Sequence, residues 1–406
     1  MSHKSDVQLS QMNGSYILDS SSVNIINNGG SFFIIFNVIE HSFFSQSRIS
    51  LCYENEREVF SLCKNEKYAA IPVNKPLCDL KKIEVSGLKI NNRCSLFVQS
   101  DIGCDEKSIV ISPHPDDAEL SSFLYYAKRN NTTYIVNVTA GEYLMRLKSQ
   151  YIDGLSDDLT EAVSLKGMIR LWNGLHIPAL AGIASSQILS LGYQDGKIEL
   201  SIKKSLPPIS EYRYTNDNLV KYNFDDRVSL VGDLSLLMNK VKPTVVIIPN
   251  PFIDTHPDHV ASAWAIAKAM DASGFYPEKI LLYAIHERRY KNGVVNSYEH
   301  CRYISGEDMD IMDKIFSGRF SIYSECSSER LHKMKVIALD AMHDLRHKSR
   351  FLKVIKKKIK KALFLRREDK QHPHELVNSF GKRNEVFIVV DGLSFCSTLN
   401  GVIHEQ

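Results

Sequence analysis

Two apolar runs constrain the fold of this chain more than any other feature. "SIVIS" (Ser108 to Ser112) and "PTVVIIP" (Pro243 to Pro249) are rich in β-branched residues, run into prolines, and are followed by helical stretches. A continuous apolar run, as opposed to an alternating one, marks a strand covered on both faces, as in a parallel sheet between layers of helices. The alternation recurs: "SIVISP", then a helical pattern from Glu119 to Lys128, then "TTYIVNVTAG", a long helical region through "LTEAVSLKGMIRLWNGL", and "HVASAWAIAKAM" after the second run. The pattern predicts an α/β, Rossmann-like domain over residues 105–345, its largely parallel sheet flanked by helices. Ligands in such sheets bind beyond the carboxyl ends of the strands.

The first hundred residues follow another rule. "SYIL", "SSVNII", "SFFIIFNVIE", "RISLCYE", "EVFSL", "KIEVSGLKI" and "CSLFVQS" are short β-runs broken by "NNGG" and "NKP", which predicts a small all-β, sandwich-like accessory domain over 1–104. Residues 346–406 form a third segment, with a basic amphipathic helix in Arg346 to Asp369 and a C-terminal strand packed on the catalytic domain. Within that helix Leu352, Ile355, Ile359, Ala362 and Leu363 fall at helical spacing opposite lysines. It suits either a core-packed helix with a solvated lysine face or binding to an anionic membrane surface or anionic glycan. A net charge of +3 over 406 residues does not ask for a polyanion, and no nucleic acid partner is expected. The eight cysteines are scattered without a CxxC pair, as reduced thiols are. The opening "MSHKSDVQLSQMNGSY" lacks an apolar export segment and no run approaches the roughly 18 apolar residues of a membrane span, so the expected location is cytoplasmic, with a peripheral membrane contact left open. The oligomeric state is not legible.

Both junctions after the constraining runs carry more chemistry than a helix start needs. The first is His114-Pro115-Asp116-Asp117-Ala118-Glu119 and the second His256-Pro257-Asp258-His259. An N-cap uses one Ser, Thr, Asp or Asn side chain, and the helix dipole favours an acid or two. The surplus groups are costly to desolvate, and placing them twice at strand-to-helix junctions points to a site. Three histidines and three aspartates supply the nitrogen and oxygen donors that suit zinc or a related divalent metal.

These residues also carry a resemblance. "PHPDDAEL" resembles the His-Pro-Asp-Asp motif of the PIG-L/LmbE-like zinc-dependent N-acetylglucosaminyl deacetylases, and "HPDH" their second motif. "VTAGE" (Val138 to Glu142) is similar to the family's Thr-x-Gly-Glu segment and "LGYQDG" (Leu191 to Gly196) to its Leu-Gly-aromatic-x-Asp-Gly loop, with a faint echo in "KVIALDAMH" (Lys335 to His343). The resemblance spans roughly 105–290.

It implies that His114, Asp117 and His259 hold zinc, that Asp116 is the general base, and that His256 meets the oxyanion or protonates the leaving amine with Asp258 as its orienting partner. Glu119 would support a ligand from behind. Asp195, Glu142 and Arg146 are the candidate substrate contacts. The implied reaction is removal of acetyl from an N-acetylated amino sugar, N-acetylglucosamine-like and free, nucleotide-linked, lipid-linked or in a glycan. A zinc-dependent amidase or esterase on another acylated substrate, and a non-catalytic sugar- or lipid-binding module, stay open beside it. This chain departs from the family in two places: Ser121, Ser122 and Phe123 stand where glycines are common, and Lys166 and Gly167 stand where an arginine and a glutamate are often found.

Overall fold

A computed structural model describes residues 4–12, 15–18, 31–43, 45–150, 154, 156–215, 219, 228–287, 297–342 and 370–404. The basic stretch Arg346 to Asp369, the "SSVNII" run and His343 lie outside them. The chain divides into two compact units: Met1–Asp101, Arg288–His332 and His347–Phe387 in one, Ile102–Glu287, Lys333–Arg346 and Ile388–Gln406 in the other.

The first unit is built on β1 (Lys4–Met12), β2 (Ser15–Leu18), β3 (Phe32–His41), β4 (Arg48–Cys52), β5 (Arg57–Ser61), β6 (Tyr68–Val73), β7 (Lys82–Ser86) and β8 (Leu88–Val98). Antiparallel pairing puts them in the order β6-β3-β8-β1-β2-β7-β4-β5. Strand β1 serves both halves: Lys4 to Gln8 pair with β8, and Leu9 to Met12 turn to β2. One core joins the halves, with Val7, Phe36, Ile49, Leu51, Phe60, Ile71 and Ile83 buried together. The sequence runs "KIEVSGLKI" together, but Gly87 divides it into β7 and β8; its φ of +68° and a Cβ that would sit 2.3 Å from Gln46 O admit only glycine. The unit is also less linear than an accessory domain of 1–104. Cys301 N donates to Val59 O, and the two-residue β14 (Ile304–Ser305) pairs with Ala69 and Ala70 of β6. These pairings bring residues 297–332 into the unit, β15 (Ser321–Cys326) among them.

The second unit contains the alternation read from the sequence. It comprises β9 (Ser108–Ser112), α1 (Asp117–Lys128), β10 (Thr133–Thr139), α2 (Leu159–His176), β11 (Ile188–Tyr193), α3 (Ile198–Lys204), α4 (Leu230–Val241), β12 (Val245–Pro249), α5 (Pro257–Ser273) and β13 (Lys279–Tyr283). Five strands run parallel in the order β11-β10-β9-β12-β13, and Ile388 to Val390 of β16 (Asn384–Val390) add antiparallel to β13. Every residue of β9 and β12 is buried, as continuous apolar runs require. From β9 the chain moves outward to β10 and β11, then returns across β9 to build β12 and β13. The order therefore reverses between β9 and β12, and in sheets of this kind ligands bind at the carboxyl ends of the strands beside such a reversal.

Candidate metal centre and active site

The first cluster sits on the β9–α1 turn, and a serine decides how its acids are used. Ser112 Oγ donates to His114 O (2.5 Å) and accepts from Ala118 N (3.1 Å), so it serves the N-terminus of α1. Asp116, at the N-cap position, makes no capping bond. Its Oδ1 accepts from Arg170 Nη2 of α2 at 2.6 Å. Asp117 turns the other way: its Oδ2 accepts from His114 N (2.8 Å) and lies 3.1 Å from His114 Nδ1.

The second cluster hangs from the loop after β12, where Asp254 is the organiser. Its Oδ1 accepts from His256 N (2.9 Å), and its Oδ2 from His259 Nδ1 (3.0 Å), Ile285 N (3.0 Å) and His286 N (3.2 Å). Proline at the first position of α5 fits the helix start, and His256 caps it, Nδ1 accepting from Asp258 N at 3.2 Å. The Asp258 carboxylate itself accepts from Gly196 N (2.7 Å) and Ile198 N (3.4 Å). His256, His259 and His286 gather with ring centroids 4.8–5.1 Å apart.

The two clusters meet. His259 Nε2 is 3.2 Å from Asp117 Oδ2, and donor atoms of His114, Asp117 and His259 lie within 4.8 Å of one another, all three side chains buried. His259 is fully buried and its Nε2 has no hydrogen-bond partner, while its Nδ1 is held by a carboxylate. An imidazole fixed on one nitrogen by an acid, with the other bare beside a second imidazole and a carboxylate, is the arrangement a ligating histidine adopts. The residues present therefore fit a divalent metal. A second set, His114, His256 and Asp258, is equally close, but Asp258 and His256 Nδ1 already serve backbone amides.

The ends of β10 and β11 complete the wall. Asp195 N donates to Glu142 Oε1 (2.9 Å) and Tyr143 N to Asp195 Oδ2 (3.0 Å), while Lys166 Nζ of α2 reaches Tyr143 O (2.7 Å). Asp195 Oδ1 lies 3.3 Å from His114 Nε2. Gly141 lets this loop pass α2 closely: its φ is +64°, and a Cβ there would sit 2.3 Å from Arg170 Nε.

Burial pushes His114 and His259 down, but their carboxylates outweigh it, holding His114 well above the imidazole range and His259 at about 9. Against burial, the imidazoles hold Asp117 and Asp195 well below the carboxylate range, and His259 draws Asp254 to about 2. His256 goes the opposite way: burial, then the charges of His114, His259 and His286, lower it to about 4. Lys166 is lowered to about 8 by burial and by Arg170 one turn on.

The structure thus brings together His114, Asp116, Asp117, Asp195, Glu142, His256, Asp258 and His259. Glu119 is buried and raised to about 8 by desolvation, and it accepts from Tyr126 OH on its own helix at 3.1 Å. Arg146 is exposed. Ser121, Ser122 and Phe123 are buried within α1. Three site residues escaped the sequence: Arg170, Asp254 and His286. Arg170 lies one turn beyond Lys166 on α2. Asp254 had a faint signal, an acid two residues before His256 and five before His259.

The family model for GlcNAc-PI de-N-acetylases, PIG-L, matches residues 109–270. No curated protein matches the chain. Among solved structures it is similar to the N,N'-diacetylchitobiose deacetylase from Pyrococcus horikoshii, with TM-score 0.37 and 15% identity over 71% of this chain and 85% of that one. It is also similar to a conserved protein from Thermus thermophilus (TM-score 0.33, 16% identity, 64% and 86% covered). A third is the 4-carboxy-2-hydroxymuconate hydratase from Pseudomonas putida (TM-score 0.31, 12% identity, 47% and 70% covered). The similarity to the PIG-L family is thus carried by residues 109–270.

Proposed function

We propose that this protein is a metal-dependent N-deacetylase that hydrolyses the acetamide of an N-acetylated amino sugar. The observation that carries the reading is the buried His114–Asp117–His259 group, with His259 Nε2 bare and Nδ1 on Asp254, inside the segment matched by a family of de-N-acetylases. His114, Asp117 and His259 would hold the ion, and zinc suits two imidazoles and a carboxylate. When bound, such an ion supplies Lewis acidity, lowering the pKa of water and polarising an amide carbonyl.

The chain's own residues do the remainder. Asp116, whose carboxylate is turned from Asp117 and held by Arg170, takes the proton of the attacking water. His256, with Nδ1 accepting from Asp258 N, has its Nε2–H to offer the developing oxyanion, and Asp116 returns to the departing amine the proton it took from the water. Asp258 acts at one remove: by accepting from Gly196 and Ile198 it fastens the loop that carries Asp195. Asp195, fixed between Tyr143 N and His114, is placed to accept from a sugar hydroxyl. Metal content and acetate release from a panel of N-acetylhexosamine derivatives, for the wild type and Asp116→Asn, test this. About one zinc per chain, with activity lost in a variant that still holds metal, is the expected result. Protein that stays inactive after zinc is added overturns it.

A further inference from the structure

Helix α2 is turned inside out. Of its 18 residues the buried ones are Ala162, Gly167, Asn173 and Gly174, small or polar, while Leu165, Met168, Ile169, Trp172 and Leu175 are half-buried or exposed. The small residues are where the helix meets its neighbours: a Cβ on Gly167 would lie 2.5 Å from Tyr212 and one on Gly174 2.8 Å from Pro115. The apolar residues recur at three- and four-residue intervals on the outward side, where Trp172 is 53% exposed and stacks on His176 at 4.8 Å. Just before the helix, the loop after β10 exposes Tyr143 (56%) and Met145 (74%) beside the exposed cations Arg146 and Lys148. The acids of this stretch, Asp153, Asp157, Asp158 and Glu161, lie at or before the N-terminal turn of α2, and none occurs in residues 143–150 or 162–187.

We propose that the outward face of α2, with the Tyr143–Lys148 loop, docks on an anionic lipid bilayer. The area and the composition favour that occupant over a second copy of this chain. A helix of 18 residues is about 27 Å long, so a face about 10 Å wide offers about 300 Å², against the roughly 800 Å² per partner of a stable protein interface. Shallow insertion needs no more than that, and it uses these residue types: an indole and a phenol at the polar boundary, thioethers and leucines beneath, and cations facing lipid phosphates. The orientation also suits the site. Lys166 Nζ on Tyr143 O and Tyr143 N on Asp195 tie the exposed loop directly to the catalytic wall, so a docked chain would hold that wall at the headgroup layer.

The test is co-sedimentation of the full chain with vesicles of phosphatidylcholine alone and with added phosphatidylglycerol, for the wild type, Met168→Ser/Trp172→Ser and Lys148→Glu. Binding to the anionic vesicles, a blue shift of tryptophan emission, and at least about tenfold weaker partitioning of the double variant are expected, because affinity scales with inserted apolar area. Lys148→Glu, at an exposed position, should weaken binding in the anionic vesicles selectively. Circular dichroism confirms that each variant is folded. No binding by the wild type overturns the proposal. So does equal binding by the folded double variant, which would move the contact elsewhere, and so does a wild-type dimer in light scattering that the double variant dissolves.

Discussion

Asp254 is the residue on which the second half of the site depends, and Asp254→Asn isolates its contribution. The carboxylate serves four N–H donors: one oxygen takes His256 N, the other takes His259 Nδ1, Ile285 N and His286 N. An asparagine has one acceptor oxygen. Turned to satisfy the larger group, it faces its own NH2 against His256 N, leaving a half-buried donor unpartnered at a cost of about 1 kcal/mol. Even the retained bond to His259 loses its charge, and charge-assisted bonds are roughly twice as strong as neutral ones. The imidazole is then free to turn, and supporting residues of this kind typically cost about 10- to 100-fold in metal affinity, or about 1.4–2.8 kcal/mol. Zinc titration of the apo-protein against a chromophoric chelator reads this directly, and thermal unfolding without metal reads the hydrogen-bond loss separately. Zinc affinity within twofold of wild type in a folded Asp254→Asn variant would refute the argument that His259 is a ligand held by Asp254.

Arg170→Gln should lower kcat about tenfold or more with zinc affinity unchanged, because it releases Asp116 without touching the His114–Asp117–His259 group; loss of metal instead would show that the arginine supports the ligands. Gly141→Ala forces an L side chain to φ +64° with its Cβ against Arg170, so it should cost about 1–3 kcal/mol in a denaturant titration and reduce kcat as well. Ser112→Ala exposes Ala118 N at the start of α1, and Asp116 is the side chain positioned to cap it. Activity should therefore fall further than stability does, and a variant with wild-type kcat would show that Asp116 stays with Arg170 regardless. Lys382 is wholly buried, and burial with Arg302 nearby lowers it to about 7, against about 10.4 in an unfolded chain. The unfolded state binds the extra proton between those values, so this group's cost to stability is complete below pH 7 and is relieved as the pH rises toward about 10.4. Urea unfolding at pH 7 and pH 9.5 should show the wild type gaining on Lys382→Met as pH rises; parallel curves would contradict it.

The parallel half of the fold was legible because its strands declare themselves locally. A β-branched run ending in proline and leading to a helix leaves little choice of pairing partner type, and β9, β10 and β12 fall where the runs are. The β-rich unit is harder because its pairings join distant segments. Nothing near Cys301 or Ile304 announces that they will meet Val59 and Ala70. Strand β6 was hidden by Pro72, a residue that normally argues against a strand. Its position explains the exception: β14 covers β6 only at Ala69 and Ala70, so at Pro72 the strand is an edge and no ladder donor is missed.

At the site, residue types were legible and assignments were only partly so. "HPDD" and "HPDH" announce imidazoles and carboxylates near a strand end, yet the partner of each carboxylate is set by groups outside the motifs. Ser112, two residues before the motif's histidine, takes the helix N-terminus and leaves Asp116 uncommitted. Arg170, from a helix more than fifty residues away in sequence, then captures it. Asp258 is the converse case: its neighbour in sequence is His256, but the amides of Gly196 and Ile198 reach it first, and only its backbone N–H meets the histidine. The role of orienting an imidazole falls to Asp254, which lies outside the motif and holds His259. A motif of alternating acids and histidines thus fixes which donors converge on the site, while the division into ligand, base and brace follows from which backbone amides and cations the fold delivers to each oxygen.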